Sequence, residues 1–272
     1  MGRCPRGDQM QIGCDTFLTK LEQWAPLQYA EEWDNCGLQV GRRDKTIQKV
    51  MIALTPGEAA IQAAVDAKVD LLLTHHPMIF KPTKTVTTDT VLGQSIIKLI
   101  QHDINLYCAH TNLDMAVGGV NDVLAKALNL QDVEILENIT EEYGIGRVGN
   151  LTEAVSLEMF LSITATQLGC SHLSYQGDLK KEVQRVALCG GSGISYLKAA
   201  KKVGADVYVT GDMKYHDAQL ASELGICVVD AGHFGTEKHI VHALAEFVQA
   251  QGLETVVFEE KDYMQHFYME KE

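Results

Sequence analysis

No CxxC pair occurs anywhere in the chain, although it has seven cysteines, at positions 4, 14, 36, 108, 170, 189 and 227. An odd, scattered set of this kind argues against a disulfide framework and against a thiolate zinc site, and it fits a reducing compartment, the cytoplasm. No stretch approaches the ~18–20 consecutive apolar residues of a membrane helix. The opening "MGRCPRGDQMQIGCDTF" lacks a secretory-type apolar core. Residues 1–9 read as a loose leader, with Met10 as an alternative start. Basic charge is scarce as well: 23 Lys and Arg stand against 36 Asp and Glu, a net charge of −13. That disfavours a large nucleic-acid footprint, which depends on Lys and Arg at phosphates. The glycine-rich "CGGSGISYL" (189–197) has no GK[ST] and no final Gly of a GxSxG elbow. It therefore supports neither a Walker loop nor a serine hydrolase. It reads as a tight turn that lets a helix pack close to its sheet, with a substrate phosphate at the helix N-terminus as the lesser alternative. Cys189, in a core run, reads as packing.

What remains is an ordinary globular composition, 46% apolar and 22% charged over 272 residues, with an internal repeat. "VMIALTPGEAAIQAAVDAKVDLLLTHHP" from Val50 aligns without gaps on "VALCGGSGISYLKAAKKVGADVYVTGDM" from Val186. Asp70 falls on Asp206, Thr74 on Thr210 and His76 on Asp212. Each copy reads as strand (50–54; 186–189), helix (57–67; 194–203), strand (69–74; 205–210). That is a βαβ unit, with parallel strands and a right-handed crossover. "INLYCAHTNLD" (104–114) then resembles "ICVVDAGHFGTE" (226–237), each a strand ending in a polar cluster. The first copy carries about a dozen extra residues, placed in the Thr-rich "KPTKTVTTDT". Helices are expected after the clusters, at 119–128 and 237–250. The expected fold class is α/β, with two similar βαβ-containing lobes, 10–139 and 183–272, and a small inserted α+β subdomain at 140–182. In that insert, "AVSLEMFLSITATQLG" reads as a helix and "SHLSYQG" as a strand and turn.

Parallel α/β sheets bind ligands at the carboxyl ends of their strands. Here those ends supply His75, His76, His110, Asp114, Asp212, His233 and Glu237. Adjacent histidines in a continuing strand point to opposite faces, so His75 and His76 can address one site only if the strand stops, as Pro77 suggests. Imidazole with carboxylate is a mixed N/O donor set for Zn, Fe or Mn. Asp114 and Glu237 are the best carboxylate candidates. Glu237 lies four residues past His233, so a helical turn would put both on one face. "GDMKYHDA" (211–218) offers Lys214, Tyr215 and His216 as acid/base or substrate-binding groups, with a capped helix start as the plainer reading. His102 and His172 read as surface or core residues, and His239 and His242 as structural or supporting ones. In "EEWDNCGLQVG" (31–41), Asp34 and Asn35 are either turn-formers or part of a loop bordering the site; composition leaves both open.

"WDNCGLQVG", "THHPMIF", "AHTNLD", "GDMKYHDA" and "AGHFGTE" together resemble, in order, the signature blocks of the Nif-three-like family, often labelled "GTP cyclohydrolase 1 type 2 homolog". The resemblance covers about residues 10–265. Cys36 is the one variant, standing where an apolar residue is expected. The resemblance implies a Nif-three-like α/β fold of two similar lobes, a toroidal homohexamer and two divalent metal ions per subunit. It implies His75, His76, Asp114, His233 and Glu237 as ligands, with Glu237 bridging. It also implies a metal-dependent hydrolase resembling an enzyme that opens the GTP purine ring; in such a reaction His216 or a free carboxylate could shuttle the proton. The alternative is a non-enzymatic metal-binding or regulatory protein. The expected partners are an unidentified small molecule and further copies of the chain, without nucleic acid or membrane.

Overall fold

The computed structural model describes residues 11–266; the expected leader and start at Met10 lie outside the described residues. The chain divides into two compact units. The first comprises residues up to Ala116 and Ile240–Glu260; the second comprises Val117–His239 and the residues from Lys261.

In the first unit, β1 (Ile12–Gly13) pairs with β3 (Thr46–Ile47) beside α1 (Cys14–Trp24). The main sheet has five strands, in the order β13 (Glu254–Val257), β4 (Lys49–Ala53), β5 (Leu71–Thr74), β6 (Asn105–Cys108), β2 (Gly37–Val40). The run β13–β4–β5–β6 is parallel and β2 is antiparallel to β6. Every residue of β5 and β6 is buried, the behaviour of a parallel sheet covered on both faces. The crossovers are α2 (Glu58–Asp66) and α3 (Val91–Gln101), the latter started by Thr90, whose Oγ1 accepts from Gly93 N at 3.0 Å. Leu72, Ile61, Leu99 and Leu106 belong to the core between helices and sheet. A short α4 (Thr111–Met115) ends this segment.

The second unit is built on a six-stranded sheet. Its order is β7 (Gln131–Asn138), β8 (Gly144–Ser156), β10 (Glu182–Leu188), β11 (Val207–Thr210), β12 (Cys227–Asp230), β9 (Ser174–Gln176). The centre, β10–β11–β12, is parallel; the flanking pairings are antiparallel. The helices are α5 (Val120–Ala127), α6 (Leu157–Leu168), α7 (Leu197–Lys202), α8 (Tyr215–Leu224) and α9 (His233–Glu237). Ser156 caps α6 by accepting from Met159 N, and Gly169 ends it in the left-handed region. Leu124, Phe160, Val186 and Val209 lie in this unit's core.

The repeat is matched in the hydrogen bonds of its equivalent aspartates. Asp70 Oδ2 accepts from Gln48 N and Lys49 N; Asp206 Oδ2 accepts from Gln184 N and Arg185 N. The helix-to-strand turn passes through left-handed Lys68 in one copy and Gly204 in the other. The extra residues of the first copy lie where expected: 75–90 join β5 to α3, against 211–214 between β11 and α8, and 81–90 are exposed throughout.

The lobe boundaries differ from expectation. Residues 140–182 form no separate subdomain. They supply β8, α6 and β9, which are hydrogen-bonded into the sheet of the second unit. The first lobe ends at Ala116, because α5 packs on β8 and β10. The expected helix 237–250 is split by Lys238 and His239. Its later part, α10 (Ile240–Ala250), joins the first unit with β13, which extends that sheet beside β4. Phe247 of α10 packs against Phe17 and Trp24 of α1.

Candidate metal centre

In the first unit the strand β5 stops after Thr74 but its backbone stays tied to the sheet, with His76 N donating to Leu54 O at 2.8 Å. Thr74 Oγ1 donates back to His76 O, 2.8 Å. This turn brings both imidazoles together, with ring centroids 5.1 Å apart. His75 is fully buried and its Nδ1–H donates to Ala109 O at 2.8 Å. His76 Nδ1 is hydrogen-bonded to Thr55 Oγ1 at 3.0 Å. With Nδ1 engaged in each ring, Nε2 is the atom suited to ligate. Asp114 Oδ1, from α4, lies 3.6 Å from His75 Nε2.

His110, at the end of β6, joins them. One nitrogen each of His75, His76 and His110 lie within 4.8 Å of one another, a group that can hold a metal ion. Sequence reasoning placed His110 at a strand end but left it out of the ligand set. It also left the role of Asp34 open, and here the structure decides. The Asp34 side chain is fully buried and accepts from His110 Nδ1 at 2.9 Å, Thr111 N at 3.1 Å and Thr111 Oγ1 at 2.5 Å. Burial works against its charge, but the His110 and Thr111 hydrogen bonds prevail and hold the carboxyl well below the usual range. The signal was present in "WDN" as a carboxylate in a turn, but no local rule connects it to a histidine 76 positions away.

In the second unit α9 does what the spacing predicts: His233 Nε2 and Glu237 Oε2 are 3.1 Å apart, one turn from each other. Glu237 is buried. The glycine-rich turn makes room for it. At Gly191, with φ +61°, a Cβ would lie 2.2 Å from Glu237 Oε1, and Gly191 N donates to Thr236 Oγ1 at 2.9 Å. The tight turn therefore seats the carboxylate as well as the helix. Asp212 takes the left-handed conformation and accepts from His233 Nδ1 at 2.8 Å and from Ser192 Oγ. Burial lowers the His233 pKa, but Glu237 and Asp212 outweigh it and push it up to about 10. A cleft of about 810 Å³ opens beside His233, lined also by Asp212, Cys170, Phe234, Lys238 and His266.

His216 lies elsewhere. It is exposed on the first turn of α8, 3.4 Å from Gln219 Oε1, and is absent from the residues lining the cleft. Asp217 Oδ2 accepts from Lys214 N at 2.8 Å, so this stretch is a capped helix start. His172 stacks on His266, ring centroids 4.2 Å apart, at the cleft wall. Among the described residues no helix is long and apolar enough to cross a membrane.

Comparison with known proteins agrees with this architecture. The family model described as Duf34/NIF3 (NGG1p interacting factor 3) matches residues 12–263. A Clostridium perfringens protein called "GTP cyclohydrolase 1 type 2 homolog" is 40% identical over 235 residues, 86% of this chain and 90% of that protein. The crystal structure of a Bacillus cereus protein related to NIF3 superposes with a TM-score of 0.85 at 27% identity, covering 95% of this chain and 99% of that one. Reduced HcgD from Methanocaldococcus jannaschii gives a TM-score of 0.78 at 35% identity, with 91% and 98% covered. The chain belongs to the Duf34/NIF3 family.

Proposed function

We propose that the protein is a dinuclear divalent-metal hydrolase, with His75, His76, Asp114, His233 and Glu237 as the ligands and Glu237 as the bridging one. The observation that carries the reading is the pair of imidazole–carboxylate donor sets, each at the carboxyl end of buried parallel strands. The donor chemistry suits Zn, Fe or Mn: borderline nitrogen with hard oxygen and no thiolate. Supporting bonds favour ligation over packing, because Ala109 O, Thr55 Oγ1 and Asp212 each fix the Nδ1 of a ligand histidine.

When bound, such ions supply Lewis-acid activation of water and of the scissile group. The chain's own residues do the rest. Asp34 fixes the His110 ring. Asp212 fixes that of His233, and the Gly191 turn admits the Glu237 carboxylate. The cleft beside His233 offers Phe234 as an apolar wall and Lys238 and Lys261 as cations, which suits a small polar or anionic molecule such as a cyclic amidine or a phosphoester. A GTP cyclohydrolase-like reaction is the specific form suggested by the name of the clostridial relative. His216 has no direct part in this reading. We extend the proposal to a cytoplasmic homohexamer, as the family resemblance implies.

Elemental analysis of protein purified without added metal tests the centre: two ions per chain are expected, and fewer in Glu237→Ala. Full retention in that variant overturns the ligand assignment. A screen of nucleotides, phosphoesters and cyclic amides with Zn, Mn or Fe then tests hydrolysis. No turnover, with a stoichiometric protein partner copurifying, favours the non-enzymatic alternative.

A further inference from the structure

Trp33 and Phe80 are large aromatic side chains of the first unit left in solvent, 59% and 46% exposed. They belong to the "EEWDNCGLQVG" and "THHPMIF" blocks, and the metal-binding reading gives neither of them a part. Apolar residues exposed singly are ordinary, but these two touch. Their ring centroids are 5.8 Å apart and their planes cross at 62°, which makes a corner rather than a flat patch. The chain behind each ring is tied down. Glu31 N donates to Thr111 Oγ1 at 3.0 Å and Asp34 N to Glu31 O at 3.0 Å, which fixes the turn that carries Trp33. Gln39 Oε1 accepts from Met78 N and Ile79 N, each at 2.9 Å, and Asn35 Nδ2 donates to Ile79 O, which fixes the segment that carries Phe80. The corner stands where a parallel sheet takes ligands: Phe80 follows the end of β5, and the Trp33 ring lies 6.3 Å from that of His110 at the end of β6. It is too small to seat a protein. A buried aromatic covers ~150–250 Å², so the open parts of both rings come to about 200 Å², against ~800 Å² per partner in a stable interface. Its polar neighbours are already engaged: Asp34 by His110 and Thr111, Asn35 and Gln39 by the backbone of the Phe80 segment. A sugar needs a fringe of free hydrogen-bonding side chains. What this corner offers is a π-face with a second ring across its side, which suits a flat aromatic ring.

We infer that Trp33 and Phe80 form a stacking site for the substrate, and that the substrate class is a planar nitrogen heterocycle of nucleobase size. The inference deepens the hydrolase reading above and rests on it for the chemistry. Trp33 and Phe80 break no bond; they select the molecule by its ring and hold it beside the imidazoles.

The test uses the full chain, both stripped of metal and loaded with zinc, with adenosine and guanosine as probes in equilibrium dialysis. Both nucleosides are expected to bind. Trp33→Ala should weaken them roughly 5- to 150-fold, the usual effect of removing an aromatic under a stacked base. Trp33→Phe should restore most of the affinity, and Phe80→Ala should weaken it severalfold. Zinc content and far-ultraviolet circular dichroism should stay as they were, since both side chains are exposed. The chain has two tryptophans, so Trp24→Phe leaves Trp33 as the reporter, and its fluorescence should be quenched over the concentrations at which dialysis shows binding. Ribose, which lacks the base, and choline, which an aromatic cation cage would take, should neither bind nor compete. Affinity unchanged in both Trp33→Ala and Phe80→Ala overturns the inference, as does equal binding of ribose or choline. A fall in oligomer mass with Trp33→Ala at unchanged nucleoside affinity also overturns it, and means that a second copy covers the rings. Zinc taken up without any nucleoside binding overturns this inference and leaves the metal centre standing. Nucleoside bound through Trp33 by protein that takes up no zinc supports the stacking site and overturns the metal-binding reading instead.

Discussion

Glu237 depends on a residue with no side chain. Gly191 sits at φ +61°, and any Cβ there would meet the Glu237 carboxylate at 2.2 Å. Gly191→Ala should therefore fold, because the strand and helix on either side are unaffected. It should lose about 1–3 kcal/mol from the left-handed backbone, and it should shed the ion that Glu237 serves. A urea midpoint and zinc content on the same sample check both parts; unchanged zinc would mean that the carboxylate moves aside and still ligates. His233 yields a pH prediction for the metal-free protein. Its folded pKa, about 10, lies above the ordinary histidine value. Its contribution to stability is therefore complete below about pH 6.5 and is lost as pH rises through the folded value. The melting temperature of the metal-free protein should fall between those limits, and His233→Gln should flatten the fall. Equal slopes for the two proteins would disprove the linkage.

At the scale of elements, the two βαβ copies solve the same turn with different residues. Lys68 and Gly204 both end a helix in the left-handed region before a buried strand. A Cβ added at Gly204 meets nothing within 4 Å, so only backbone conformation matters there. Lys68→Gly should then stabilise the protein by up to ~1 kcal/mol, and Gly204→Ala should cost ~1 kcal/mol. Denaturant midpoints with an unchanged m-value would confirm that the effect is local. The pairing also shows why the repeat was legible. Asp70 and Asp206 are identical because each ties down the preceding strand, and Thr74 and Thr210 mark equivalent strand ends. The candidate residues of the proposed metal centre stood out for a related reason: a polar cluster at the end of an apolar strand is conspicuous, and His233 with Glu237 sits at helical spacing. Asp34, Gly191 and Asp212 were not assigned their roles, because these depend on contacts across long sequence separations that neither periodicity nor spacing encodes.

For the whole molecule, periodicity found the helices but not the sheets they cover. The helix after the first unit's cluster, α5, belongs to the second unit, and α10, after the second unit's cluster, belongs to the first. An amphipathic stripe records that a face is buried, not against what, so the lobe boundaries of a twofold repeat could not be read from either copy. Net charge bears on the last expectation, the homohexamer. At −13 per chain, six copies repel one another over distances comparable with the screening length, ~10 Å at 0.1 M salt. In the proposed ring, apolar contacts would offset this repulsion, and large side chains such as Val91, Val117 and Tyr215 are exposed on the single chain. Added salt should therefore strengthen assembly. Light scattering should give a mass near six times 29.9 kDa, and the chain concentration needed to reach it should fall as salt is raised from about 0.05 to 0.5 M, across which the screening length shortens severalfold. Dissociation by salt would mean that interchain ion pairs, not apolar contacts, carry the assembly, and a mass independent of concentration near that of one chain would refute the hexamer.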